Sequence, residues 1–285
     1  AVEFTADLTG ATWIAPRLGR FGTVTGLVPT GYEAYVRIFH PFSITSGDGE
    51  SREVSWAQLA ALSGRIFHPL AQAGGLGMVP GQQLRIEEAV VDPAGEGWLD
   101  GRRLATLVGL LTPATTTPGV TVGIWVGWGQ LHPESMSMFC WPAPSAAELR
   151  ELNRRYRAER AAAIDPRLAA AIKQRRGRSG PDVLHLPQRE YALLTGWVAE
   201  LTDPDWGSTA GIGWRGEDRS PGPQLIWPDD RAWFVGSDTD ADSTLVGCTR
   251  QVAEAILACP ELESLEVPAD GDLSWDGDAL NPPFA

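Results

Sequence analysis

Two rhythms of apolar residues run along the chain. Short β-rich runs cover Gly22 to Val28 and Ala34 to Phe39, then Val120 to Val126 and Met136 to Trp141, then Gln224 to Trp227 and Ala232 to Val235. The first and last pairs are joined by turn residues, Pro29-Thr30-Gly31 and Pro228-Asp229-Asp230, and read as hairpins. The middle pair is separated by a loop holding Trp128, His132 and Pro133.

Helical spacing appears between these runs. Ser55 is placed to cap a short helix with Trp56, Leu59 and Leu62 on one face, and Asp100 to cap a helix from Arg102 to Leu111 that stops before Pro113. Ser145 and Glu148 form a capping-box pair, in which each side chain satisfies a free backbone N–H at the helix start. The helix it opens is predicted to run to about Ile164 with Leu149, Leu152 and Tyr156 buried, and Asp165-Pro166 starts another. After a breaker at Gly177 to Pro181, Val183 to Leu186 reads as a strand, and Glu190 to Leu201 fits a helix or a strand equally. Thr249 caps the last helix, where Val252, Ala255, Ile256 and Cys259 recur before Pro260. The segments His68 to Gly81 and Asp203 to Pro223 have loop composition.

Strand pairs followed by helices imply an α+β fold, with mixed or antiparallel sheets built from hairpins each followed by a helix. The expected organisation is an N-terminal α+β half over 1–144, an Arg-rich helical insertion or connector over 145–180, and a C-terminal α+β half over 181–285.

Composition narrows the function classes. The 285 residues are 43% hydrophobic and 21% charged, the profile of a chain that folds on its own. No apolar run approaches the roughly 18 residues of a membrane span, no signal-peptide pattern opens the chain, and a cytoplasmic location is expected. Cys140, Cys248 and Cys259 lack metal-type spacing and read as free thiols. A net charge of −13 argues against nonspecific nucleic-acid or lipid binding. Charge is segregated: nine Arg and Lys173 against four acids over 145–180, thirteen acids against two Arg over 229–285. The two regions could face each other.

Candidate chemistry is sparse. Arg-Ile-Phe-His-Pro occurs at Arg37 to Pro41 and again at Arg65 to Pro69, and His40, His68 and His132 all precede proline. If the copies are equivalent strand ends, Ile38 and Ile66 should be buried alike, and the imidazoles could converge as metal ligands or acid/base groups. The simpler reading is that His-Pro ends strands. Asp238, Asp240 and Asp242 resemble both a calcium loop and a DxDxT phosphotransferase motif, but Ser243 stands where the EF-hand glycine belongs, and too little chain follows for the second. Arg231 is expected to bond this acidic loop. Of twelve tryptophans, Trp125, Trp128, Trp141, Trp197, Trp206, Trp214, Trp227 and Trp233 lie between residues 125 and 233; most should be core, with a few, Trp227 and Trp233 among the candidates, at one groove. There is no G-x-S-x-G elbow or P-loop, and Gly75-Leu76-Gly77 is not followed by a helix.

The runs Trp227-Pro-Asp-Asp-Arg-Ala-Trp-Phe-Val235, Asp238-Thr-Asp240 and Asp242-Ser-Thr-Leu-Val-Gly247, with Tyr35-Val-Arg-Ile-Phe-His-Pro41 and Leu186-Pro-Gln-Arg-Glu-Tyr191, resemble a family of uncharacterised actinobacterial proteins. Cys248 departs from a second glycine expected there. The resemblance implies no activity, cofactor or site residues. The leading expectation is a non-catalytic binding or interaction protein, immunity-type or regulatory, with a protein partner; the alternative is a hydrolase, metal-dependent or not, using the scattered His and Asp residues.

Overall fold

A computed structural model describes residues 1–79, 82–135, 145–174, 182–187, 189–215 and 221–281. The strand expected at Met136 to Trp141, the breaker at Gly177 to Pro181 and Cys140 lie outside them.

The strands are β1 (Glu3–Thr5), β2 (Ala34–Phe39), β3 (Phe42–Thr45), β4 (Ser51–Val54), β5 (Leu84–Ile86), β6 (Ala89–Asp92), β7 (Gly119–Trp125), β8 (Leu184–His185), β9 (Glu190–Trp197), β10 (Leu225–Pro228), β11 (Phe234–Gly236), β12 (Ser243–Cys248) and β13 (Ser264–Glu266). The helices are α1 (Val24–Leu27), α2 (Trp56–Ser63), α3 (Gly101–Leu111), α4 (Ala146–Ala162), α5 (Pro166–Gln174) and α6 (Arg250–Leu257). The fold is α+β with antiparallel sheets. A nine-stranded sheet runs β1-β9-β7-β10-β11-β12-β2-β13, with β8 added to β9, and a four-stranded sheet runs β4-β3-β6-β5.

Three hairpins each lead into a helix: β3–β4 into α2, β5–β6 into α3, and β11–β12 into α6. The first expected hairpin is corrected. Residues 24–27 form the helical turn α1, and β2 instead pairs with β12 and β13 from the far end of the chain. Large-sheet strands thus come from both sides of residues 145–180.

Side chains alternate across the large sheet with period two. Val36, Val122, Leu194, Ile226 and Val246 face one core, which α3, α5 and α6 cover with Leu107, Leu168 and Ile256. Tyr35, Leu193, Leu225, Trp227 and Leu245 face the other, covered by Trp13, Ile14, Val24 and Val28 of the N-terminal segment. Because both faces are buried, the strands read as nearly continuous apolar runs instead of alternating ones. That is why β9 could not be told from a helix by periodicity.

β2 runs through His40-Pro41 directly into β3, so the chain leaves the large sheet for the small one at that dipeptide. Phe39 belongs to the third core, with Phe42, Ile44, Trp56, Leu59 and Val91 under α2. The caps fall as the sequence predicts: Ser55 with Gln58 on α2, Asp100 on α3, Ser145 with Glu148 on α4, Thr249 on α6. Glu263 adds its carboxylate to Trp56 N (2.6 Å) and Ala57 N (2.8 Å), placing an anion at a helix N-terminus where backbone N–H groups are free. On α4, Leu149, Leu152 and Tyr156 are only half-buried. The described ion pairs of this Arg-rich region join Arg154 to Glu151, Arg167 to Glu3 and Asp165, and Glu159 to Arg215, none of them reaching the acidic C-terminal region. Among the described residues no helix is long and apolar enough to cross a membrane.

Candidate functional site

The Arg-Ile-Phe-His-Pro copies are not structural equivalents. The first ends β2, with Ile38 fully buried; the second is loop after α2, with Ile66 54% exposed. They nevertheless touch: Phe39 and Phe67 pack edge to face at 4.9 Å, and the Arg37 guanidinium donates to Pro69 O at 3.2 Å.

Each predicted histidine has a local partner. His40 is 3% exposed. Its Nδ1 lies 2.6 Å from Gly95 O, which can only accept, so Nδ1 carries the proton and Nε2 accepts from Thr244 Oγ1 at 2.9 Å. His68 Nδ1 accepts from Leu70 N (3.3 Å), leaving Nε2–H to donate to Asp278 Oδ1 at 2.7 Å. His132 Nε2 donates to Val126 O at 2.7 Å. Among the described residues no three His, Cys, Asp or Glu converge in a metal-holding cluster.

Burial lowers the pKa of His40, outweighing the hydrogen bond to Gly95 and the charge of Asp242, which raise it. A folded-state pKa below the unfolded value means that the unfolded chain takes up the proton first. The stability contributed by neutral His40 is therefore present above about pH 6.5 and is lost as pH falls. Chemical denaturation between pH 7 and pH 5 should show a slope of up to about 1.4 kcal/mol per pH unit that shrinks in His40→Gln; an unchanged slope would remove His40 as its source.

The three acidic-loop residues do share a cavity. It holds about 600 Å³ between the end of the large sheet, the small-sheet lobe and the C-terminal tail. Asp238, Asp240 and Asp242 form one side, with Glu96 from the segment after β6. Phe21, Leu27, Met78, Leu273 and Trp275 make an apolar wall. Segment 93–98 crosses the acidic loop, pinned by Gly97 N to Ala241 O (2.9 Å) and by Gln224 Nε2 to Gly97 O (3.0 Å). Gly97 has φ +95°, a backbone that side chains rarely adopt. Glu96 also borders a second cavity of about 690 Å³, lined by His40, Trp98, Trp206 and Trp214.

Two arginines that were not among the candidate site residues organise the acids. Arg189, not Arg231, grips the loop: its guanidinium reaches Asp238 Oδ1 at 3.0 Å and Asp240 Oδ2 at 2.7 Å. Arg231 sits at φ +58° with its guanidinium 5.0 Å over the Trp13 ring. The expected Arg231 contact fails because Pro228 to Arg231 turns at the opposite end of the β10–β11 hairpin from Asp238.

Arg37, 1% exposed, lies on the cavity floor. It donates to Ser243 Oγ (2.9 Å), Ala71 O (2.8 Å), Pro69 O (3.2 Å) and, at 3.4 Å, Asp242 Oδ1, with its guanidinium 4.5 Å from the Phe39 ring. A lone charge in an apolar strand, Val36-Arg37-Ile38, was the signal available in the sequence. Glu96 and Trp275 carried none, since their loops are placed only by tertiary contacts.

The tail that supplies Trp275 is held by Asp278, which accepts from His68 and from the backbone N–H groups of Gln72, Leu280 and Asn281. Burial alone would raise its carboxyl pKa; the bonds from Asn281, Gln72 and His68 offset this and hold it below the ordinary value. Trp275 lies against Gly74, where an added Cβ would come within 2.7 Å of the indole, and a Cβ at Gly75 would meet Asp278 at 2.5 Å. The glycine-rich stretch is thus a seat for the tail. Trp227 and Trp233 are fully buried and border neither cavity.

Compared with known proteins, the chain matches no family model, no curated protein and no solved structure.

Proposed function

We propose that this is a non-catalytic binding protein of the cytoplasm, regulatory in kind, and that the cavity bounded by the acidic loop and the C-terminal tail receives its ligand. One observation carries the reading. An apolar wall and a few charged groups converge on one concave space of the size usual for small-ligand sites. The cavity lies where the large sheet, the small-sheet lobe and the C-terminal tail meet, and rearrangement of the tail would report occupancy to a partner protein. The hydrolase alternative draws no support from the histidines, whose ring nitrogens bond the backbone, Thr244 and Asp278 in place of a shared centre.

Backbone amide shifts test the proposal. On separate titration with 1-octanol, n-octylammonium and n-octanoate, at least one probe should shift amides at 95–97, 238–243 and 272–275 together.

A further inference from the structure

We infer that the ligand of this cavity is cationic and amphipathic, an ammonium or guanidinium group on an apolar arm, recognised by Glu96 and the acidic loop. The inference rests on the cavity being the binding site and adds the chemistry of what enters it.

Charge balance is the first support. Four carboxylates, Asp238, Asp240, Asp242 and Glu96, line the cavity. Their described cationic partners are Arg189, shared by Asp238 and Asp240, and Arg37 on Asp242. Two negative charges remain uncompensated. Glu96 has no hydrogen-bond or ion-pair partner among the described residues, and partial desolvation of this exposed side chain, then the charges of Asp242 and Asp240, raises its pKa. A carboxylate held among carboxylates gains from a ligand cation, because the cation removes repulsion as well as adding attraction.

A second support is independent of the acids. Gln72 lines the same cavity and is 9% exposed. Its amide nitrogen donates to Leu70 O at 3.3 Å, while its amide oxygen has no partner among the described residues. That oxygen stays accessible to solvent, and an ammonium or guanidinium, which supplies donors and no acceptor, can bond it in place of water. Arg37 does not invite an anion in its place, since Ser243, Pro69, Ala71 and Asp242 already surround its guanidinium. The apolar arm follows from Phe21 and Trp275, which are 48% and 54% exposed at the cavity and able to cover it.

Calorimetric titration of the full chain with three probes of equal length, n-octylammonium, 1-octanol and n-octanoate, separates the claims. The expected result is that the ammonium binds at least about tenfold more tightly than the others, the scale of one charge-assisted hydrogen bond. Glu96→Gln, at an exposed position without described bonds, should remove most of that preference. Equal or tighter binding of the alcohol or the carboxylate would overturn the cationic ligand while leaving the binding site standing. A preference that survives Glu96→Gln would overturn Glu96 as its source. No binding by any probe would overturn both the ligand class and the site.

Discussion

Replacing Arg37 by methionine should destabilise the protein by about 3–5 kcal/mol, the usual cost of removing one partner from a buried charged network. The methionine restores volume but no donor. Ser243 Oγ and the carbonyls of Pro69 and Ala71 would lose hydrogen bonds of 2.9, 3.2 and 2.8 Å, and buried acceptors left unpaired cost more than the bonds were worth. The cation also stacks on Phe39 and Trp56, at 4.5 and 5.5 Å from the ring centres, so packing between the two sheets weakens as well. In thermal unfolding the midpoint should drop by roughly 10 °C. Arg37→Lys should recover only part of this, because an ammonium lacks the planar fork that reaches three directions at once. A loss below about 1 kcal/mol for Arg37→Met would show that the guanidinium is solvated and does not tie the β2 end, the loop after α2 and the acidic loop together.

Trp227→Ala should cost a similar amount, about 3–5 kcal/mol, and should leave probe binding unchanged. Trp227 stacks on Phe234 with ring planes 12° apart and meets Trp13 edge-on at 6.5 Å, filling the core beneath the N-terminal segment. A tryptophan that contacted ligand would behave in the opposite way, with binding lost and stability little changed. Denaturant unfolding and probe titration on the same variant distinguish the two.

Much of the fold was legible because local rules were obeyed. Ser55, Asp100, Ser145 and Thr249 cap their helices through side-chain bonds that sequence spacing alone foretells. The β10–β11 hairpin followed from its turn residues. Gly22 to Val28 misled because its apolar residues are those of a segment packed on a sheet, not of a strand within one. Val24 and Val28 cover the face that Leu225 and Leu245 present, and coverage of this kind has no period-two signature.

The site was less legible than the fold. Asp238, Asp240 and Asp242 were identified as a loop of interest and do line a cavity. Their partner Arg189 comes from just before β9, forty-nine residues upstream of Asp238, and Glu96 from the segment that crosses them. Arg189 reaches the loop after β11 across β7 and β10, which separate β9 from β11, and Glu96 is placed by the bonds of Gly97 to Ala241 and Gln224; no local pattern encodes either. The repeated Arg-Ile-Phe-His-Pro pointed to the histidines, yet the side chain at the cavity floor is its first residue, Arg37. Arg37 occupies a strand position whose neighbours Val36 and Ile38 are fully buried, and charge in such a place needed an explanation that the histidines did not.

The most direct measurement of the central claim is the amide shift map of the full chain with the three octyl probes added one at a time. Shifts concentrated at Glu96 and Gly97, at Asp238 to Ser243, and at Asp272 to Trp275, saturating together, are the expected result. Shifts that avoid these segments and gather elsewhere, for instance along Ala146 to Arg157 of α4, or no saturable shift with any probe, would contradict the assignment of this cavity as the place where the protein binds its ligand.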